Sequence, residues 1–431
     1  MFTNKTSTVS KNNLKNLHFL SQTAQLLRFS YSFIEDTTMT NTTQPTVIIL
    51  GASYAGLMAC ARLLHSRQKI QIMVIDAKTH FEQKIRLHET LVGDETRRLA
   101  LAPLLKKRGV TFIQAKVNGL RPDTQQVLLE DGQRLNYDYL IYALGSVPSQ
   151  KIHGSEQHAI SMASCDQLQH THLQLQQLAQ QQGHIVVLGA GLTAIEVCTE
   201  LATRFSGLKL SLISKQFPSF HYHPHAQQHL TKFFAQQQID IIADHVDHID
   251  QKQLHTKQQQ VIPFDLCIDC TGLKANPLAQ QSQLKVDELG RLYVDEYLRL
   301  LGSETIFVVG DAARVTVNQQ ILRMSCATAM PIGAHAGTNI GLLLAQKPLV
   351  AFNFAYLAQF LSLGRKNGLM QMVDEQDQAR SQISTGFWAA RYKEWICKMT
   401  INMIYWELRT GLKLYFWPKQ SSLTTYQLPN N

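Results

Sequence analysis

The 431-residue sequence predicts an α/β fold of two three-layer domains, one inserted in the other, followed by a C-terminal segment. Three observations predict it. A unit of apolar strand, glycine-bearing turn, helix and second strand occurs twice. The two copies are in register, because Asp76 falls 25 positions after Gly51 and Ser214 falls 25 positions after Gly189. Each copy is followed by an apolar strand ending in glycine, Tyr139–Gly145 and Leu266–Gly272. Strands alternating with helices in this way indicate parallel sheets covered on both faces.

The first unit opens with Thr46–Leu50, a β-branched run suited to a buried parallel strand. The turn Gly51-Ala52-Ser53-Tyr54-Ala55-Gly56 comes next, then the helical stretch Leu57–Leu64. Gly51 permits a tight turn, and Gly56 permits close packing of helix on strand. The helix N-terminus offers free N–H groups and a positive dipole end to a pyrophosphate. Ser53 stands at the middle position of the dinucleotide fingerprint, where its Cβ narrows the backbone approach and its hydroxyl offers a hydrogen bond instead. The strand Gln71–Ile75 leads to Asp76, an acid placed to bind ribose hydroxyls.

The second unit repeats this order. Ile185–Leu188 is the strand, Gly189-Ala190-Gly191-Leu192-Thr193-Ala194 the turn, Ile195–Thr203 the helix and Lys209–Ile213 the next strand. Here Ser214 replaces the acid that would select a free 2′-hydroxyl, and Lys215 follows it. A hydroxyl and an ammonium favour a 2′-phosphate, so NADPH is expected to serve at least as well as NADH. The other reading of Lys215 is a solvated surface lysine. One glycine fingerprint is weak evidence; two copies in matching frames are strong evidence for two Rossmann-like sites.

Further motifs close the first site. Gly145 precedes Pro148, and Gly272 precedes Asn276-Pro277, as in strands that lead into a crossing between domains. Thr305–Asp311 reads as a buried strand ending in Gly310-Asp311. Gly310 lets backbone approach a ligand, and the Asp311 carboxylate can accept from a polyol hydroxyl. A helix is expected over Pro331–Leu344. Its N-terminus, with Pro331 and Ile332, would face the electron-accepting edge of a flavin.

Bulk properties narrow the classes. The net charge is +9, but the cations are scattered without a nucleic-acid signature, so nucleic acid is not an expected partner. Seven dispersed cysteines fit a reducing compartment better than a disulfide framework. No apolar run approaches the roughly 18–20 residues that cross a bilayer. Residues 1–44 are polar, begin with no secretory h-region, and read as a late start at Met39 or a targeting segment; they are left out of the fold. His221, His223, His225 and His229 cluster without a thiol or carboxylate to complete a ligand set, so no metal is expected. Cys267 and Cys270 lie in an apolar strand that separates their faces, as packing residues do. The C-terminal stretch Phe387–Trp417 is dense in aromatics interleaved with cations. It suits a membrane interface, a helix pair packed on the first domain, or a homodimer contact.

Together these motifs resemble the FAD-dependent pyridine nucleotide oxidoreductase superfamily over Thr46 to Pro418. Within it they are most similar to the type II NADH dehydrogenase-like and ferroptosis-suppressor-like branch. The resemblance implies an FAD domain of residues 45–150 and 286–360, with an NAD(P) domain, 151–285, inserted, and a C-terminal segment, 361–431. It implies FAD at the first site, with Asp76 on the adenosine ribose and Asp311 on the ribityl chain. NADH or NADPH would occupy the second, with Glu196 near nicotinamide and flavin. The stretch Lys84–Glu89, including Arg86, resembles the branch's segment beside the isoalloxazine ring, and Leu363–Gly368 its C-terminal signature. The implied activity is hydride transfer from NAD(P)H to flavin, then two electrons to a quinone-like small-molecule acceptor. Glu196, Arg86 and Pro331 are the implied positioning residues at the reacting centre. The implied location is cytoplasmic, peripheral on the inner face of a membrane. Two departures stand out. Residues 77–160 contain no cysteine, against dithiol chemistry. Ala329-Met330-Pro331-Ile332-Gly333 lacks the glutamine of the branch's quinone motif. A ferredoxin-type reductase and a slow-turnover, redox-sensing flavoprotein resembling apoptosis-inducing factors therefore stand as alternatives.

Overall fold

A computed structural model describes residues 44–218 and 222–421. The readings of residues 1–43 and of His221 fall outside the described residues. The elements that position the site are, in chain order, β1 (Thr46–Leu50), α1 (Tyr54–Ser66), β2 (Gln71–Asp76), α2 (Leu87–Leu91), β3 (Thr111–Gln114), β4 (Tyr139–Tyr142) and β5 (Ile160–Ser161). There follow α3 (Cys165–Gln180), β6 (His184–Leu188), α4 (Leu192–Arg204), β7 (Lys209–Ile213), β8 (Ile239–Ile242), β9 (Val246–Ile249), β10 (Gln253–Thr256), β11 (Val261–Pro263) and β12 (Leu266–Asp269). The last are β13 (Ile306–Val308), α5 (Cys326–Leu344), β14 (Ala358–Ser362), β15 (Gly368–Val373), β16 (Ala379–Thr385) and α6 (Phe387–Thr410).

Two parallel sheets share a four-strand core and differ in the edge strand, which follows the core in the chain in the first sheet and precedes it in the second. The first runs β13-β4-β1-β2-β3 and the second β5-β12-β6-β7-β8. In each, the strand before the glycine turn is central. The next strand in its unit pairs on one side, and the glycine-ended strand pairs on the other. The central strands bury nearly every side chain, as apolar runs covered by helices on both faces must. Just beyond β4 and β12, Ser146–Pro148 and Leu273–Ala275 pair antiparallel with one another, so the chain crosses between the sheets on a two-stranded ribbon.

Helix α1 packs tightly on α5. A Cβ on Gly333 would lie 2.1 Å from the Ala55 carbonyl oxygen, and one on Gly337 would lie 2.3 Å from that of Ala59. Only glycine allows this approach, which sets α5 directly against the helix that begins at the first turn.

The structure corrects the start of α5. The helix begins at Cys326, with the Ser325 hydroxyl accepting from Thr328 N–H, so Pro331 lies more than a turn inside it. Serine capping, rather than the preference of proline for a first turn, fixed the boundary. The C-terminal aromatic stretch is also not a helix pair. It is one 24-residue helix, α6, ended by Gly411 at φ +70 and followed by extended chain. The three-stranded antiparallel sheet β14-β15-β16 precedes it.

Candidate active site

Both glycine turns have the same geometry. Gly51 has φ +98 and Gly189 has φ +97. A Cβ would lie 2.4 Å from the Ala143 carbonyl oxygen in the first case and 2.8 Å from that of Cys270 in the second. Each turn therefore passes directly over the end of the glycine-ended strand of its sheet. No L side chain fits there, on conformational and steric grounds alike.

At the first turn Ser53 is the extended residue before α1, and its side chain makes no capping hydrogen bond. Ala55 and Gly56 are buried in the first turn of the helix. The Tyr54 ring is buried edge-on against Phe81, with centroids 5.0 Å apart. Asp76 ends β2, where its carboxylate accepts from Ala52 N–H at 2.7 Å and Lys78 N–H at 2.8 Å. It thus braces the turn, and each oxygen keeps a further lone pair.

Asp311 reaches the same pocket from the end of β13, beside Gly310, while Gly145 follows β4. Asp311 Oδ2 accepts from the Ser146 hydroxyl at 2.6 Å, but Oδ1 is buried with no hydrogen-bond partner. Lys84 Nζ donates to the Ser146 carbonyl at 3.1 Å. Burial raises the Asp311 carboxyl, against the Ser146 hydroxyl and the Lys84 ammonium. Burial also lowers Lys84, against the Asp311 carboxylate. A buried carboxylate oxygen without a donor is costly unless a ligand supplies one. A polyol chain between two glycine-lined backbones does so, and these residues fit the ribityl chain of FAD.

At the second turn Gly191 precedes α4 in extended conformation, with no atom within 4 Å of a notional Cβ. Leu192, Thr193 and Ala194 form the first turn of the helix. Ser214 is half-buried and Lys215 exposed at the end of β7. Gly272 follows β12.

The two units meet at a charged cluster. Arg86 Nη1 lies 2.7 Å from Glu89 and 2.9 Å from Glu394 of α6. Glu196, in the second turn of α4, accepts from Ser362 N–H at 3.0 Å and pairs with the Lys393 ammonium of α6. His88 lies between Glu89 and Glu196, 3.7 and 3.4 Å away. Burial, reinforced by Lys393, Arg365 and Arg86, pushes His88 well below the usual histidine range, so it is neutral. Arg365 binds Glu89, Asp94 and Glu200 at 3.2, 3.2 and 3.3 Å. Burial holds Lys393 down to about 8 and raises Glu200 to about 7.

The structure thus brings Arg86 and Glu196 into one network. Pro331 and Ile332 are buried within α5, and Thr328 and Ala329 N–H in its first turn donate to the Ser325 hydroxyl and carbonyl. Sequence reasoning missed Ser146, Glu200, Lys393 and Glu394. Ser146 follows the quoted Gly145, and Glu200 stands one helical turn after Glu196. Lys393 is 197 positions from Glu196 and carries no local signal. The seven cysteines are free; Cys267 and Cys270 pack into separate core clusters.

Comparison with known proteins bears on the same span. Residues 45–331 match the family described as pyridine nucleotide-disulphide oxidoreductase. Ferroptosis suppressor protein 1 of Xenopus laevis is 26% identical over 343 residues, 75% of this chain and 88% of that protein. Demethylphylloquinone reductase of Synechocystis is 24% identical over 354 residues, 76% of this chain and 86% of that protein. The structure of NDH2 from Plasmodium falciparum in complex with NADH superposes with TM-score 0.71 at 14% identity, covering 86% of this chain and all of the other. The chain belongs to the pyridine nucleotide-disulphide oxidoreductase family. It is an oxidoreductase of α/β fold.

Proposed function

We propose that this pyridine nucleotide-disulphide oxidoreductase passes the electrons of NAD(P)H to a quinone at a membrane surface. One observation carries the proposal: the helix that closes the redox site also carries an exposed aromatic stripe. Lys393 and Glu394 of α6 bind Glu196 and Arg86. Trp388, Tyr392, Trp395 and Trp406 recur at spacings that return to the opposite side of the same helix, and all are exposed. Arg391, Lys398 and Arg409 flank them. Phe416, beyond the helix, is 71% exposed. Ala390, Cys397, Ile401, Ile404 and Leu408 bury the inner face. The Arg62–Glu407 ion pair, 3.0 Å long with both side chains 1% exposed, ties the helix to α1. Among the described residues no helix is long and apolar enough to cross a membrane. An aromatic stripe with flanking cations suits the interface instead. Quinones dissolve in that layer, and the demethylphylloquinone reductase relative supports a quinone acceptor.

Bound FAD supplies the two-electron chemistry that links nicotinamide to acceptor. The chain's residues hold and orient. Gly51, Ser53, Tyr54, Ala55 and Gly56 present the α1 N-terminus to the FAD pyrophosphate, and Asp76 takes the ribose. Gly145, Gly310 and Asp311 hold the ribityl chain, with Asp311 Oδ1 accepting a hydroxyl. Gly189, Gly191, Leu192, Thr193 and Ala194 hold the nicotinamide dinucleotide, beside Gly272. Ser214 and Lys215 bind its 2′-phosphate when one is present. Glu196 and Arg86, fixed by Lys393, Glu394 and Glu89, orient the reacting rings.

The test is reoxidation of NADPH-reduced protein by short-chain quinones and by a ferredoxin, with and without anionic vesicles. Quinone turnover that rises with vesicles is expected, together with vesicle binding that falls about tenfold in Trp388→Ala. Turnover with ferredoxin alone, or a stripe that joins two copies while vesicles neither bind nor compete, would contradict the proposal.

A further inference from the structure

Behind the nicotinamide sheet, strands β9, β10 and β11 form an antiparallel meander with two unlike faces. Ile249, Leu254 and Ile262 bury one face in a core cluster. The alternation of a strand places His248 on the other face, with Asp250 of the same side at the turn. His255 is the cross-strand partner of His248. The register slips between Val246 and His248, which makes Asp247 a bulge residue. A bulge re-aims a side chain, and here the Asp247 carboxylate lies 3.1 Å from His248 Nδ1. That bond places the ring proton on Nδ1 and turns the Nε2 lone pair inward. His248 Nε2 is 4.0 Å and His255 Nε2 2.9 Å from the same oxygen, Asp250 Oδ2. The two rings stack 4.2 Å apart at 7°.

We propose that His248, Asp250 and His255 bind a divalent transition-metal ion, with Asp247 as the orienting partner. One donor atom from each of the three lies within 4.8 Å of the others. An ion roughly 2.0–2.2 Å from each donor draws them together by small side-chain rotations. The His255 Nε2–H donates to Asp250 Oδ2, and a cation takes the place of that proton while reaching His248 Nε2 across the 4.0 Å gap. Two imidazoles and one carboxylate suit zinc, nickel or copper ions rather than calcium or magnesium, which take oxygen-rich shells. The carboxylate on the second ring nitrogen is the partner that metal-binding histidines use to fix their tautomer. Three protein ligands on an exposed hairpin leave a position for water and allow exchange. The sequence reading expected no metal and weighed only His221 to His229; His248, Asp250 and His255 are a different set, brought together across the β9–β10 pair.

The test uses the full FAD-loaded chain after treatment with chelator. Cobalt(II) is titrated and its visible absorption followed, then zinc is added in competition. One equivalent with a low-symmetry cobalt spectrum is expected, abolished in His248→Ala and His255→Ala. Asp247→Asn should weaken binding by roughly 10- to 100-fold. Flavin absorbance and NAD(P)H oxidation, unchanged in all three, report that the variants are folded. No cobalt spectrum in the natural chain would overturn the proposal. So would a spectrum that survives the double substitution His248→Ala and His255→Ala, or one abolished by His223→Ala instead.

Discussion

In the first unit the turn at Gly51 leads to a pocket where the buried Ser146 binds the half-buried Asp311, whose Oδ1 is shut off from water without a partner, and the exposed Lys84 donates to the Ser146 carbonyl. In the second the turn at Gly189 leads to a half-buried Ser214 and an exposed Lys215. The order of the four core strands, β4-β1-β2-β3 and β12-β6-β7-β8, and the glycine geometry are the same in both. The scaffold is therefore generic, and on the assignment proposed above the residues around it separate a resident cofactor from an exchangeable substrate. A group held by a buried, otherwise unpaired carboxylate oxygen leaves slowly. A group bound only by a half-buried hydroxyl and an exposed ammonium comes and goes.

The sharpest way to break this difference is to add a side chain at each turn. Gly51→Val should give protein without bound flavin, read from its visible spectrum. Gly189→Val should keep flavin and raise KM for both NADH and NADPH by tenfold or more, the equivalent of about 1.4 kcal/mol. Flavin lost from the second variant but retained by the first would reverse the assignment. A smaller effect is expected at the ribose end of the second pocket. Ser214→Asp should lower kcat/KM for NADPH roughly tenfold and leave NADH the better substrate, because a carboxylate repels the 2′-phosphate. No change in the ratio would show that Ser214 and Lys215 do not read that group.

The smallest effect lies at the seam between the units. Burial raises Glu200 to about 7, so between its ordinary range and that value the folded state holds a proton the unfolded chain has lost. The stabilising contribution is complete below the unfolded pKa and is lost as pH rises through 7. Glu200→Gln should flatten the fall in stability between pH 5 and 7 by on the order of 1–3 kcal/mol. Denaturant midpoints at the two pH values measure it; parallel slopes in the two proteins would contradict the account.

Much of this was legible from the sequence because it is local. Thr46–Leu50 and Lys209–Ile213 match the observed strands β1 and β7 end to end. Asp76 and Ser214 follow from spacing within one unit. Asp311 follows from a strand that ends in Gly-Asp. The helix facing the flavin was placed five residues late, since Pro331 outweighed the quieter Ser325 cap. Lys393 and Glu394 were illegible for another reason. A periodic helix shows which residues share a face, but not which distant carboxylate or guanidinium that face meets. Nor does a pattern of alternating residues reveal the bulge that brings Asp247 to His248.

The most direct measurement is an anaerobic titration of the purified, FAD-reconstituted protein with NADH and, separately, NADPH. The account predicts one tightly bound FAD per chain, bleached stoichiometrically by either nucleotide and at least as readily by NADPH. A protein that takes up no FAD, or a bound flavin that neither nucleotide bleaches, would contradict the assignment of the two pockets.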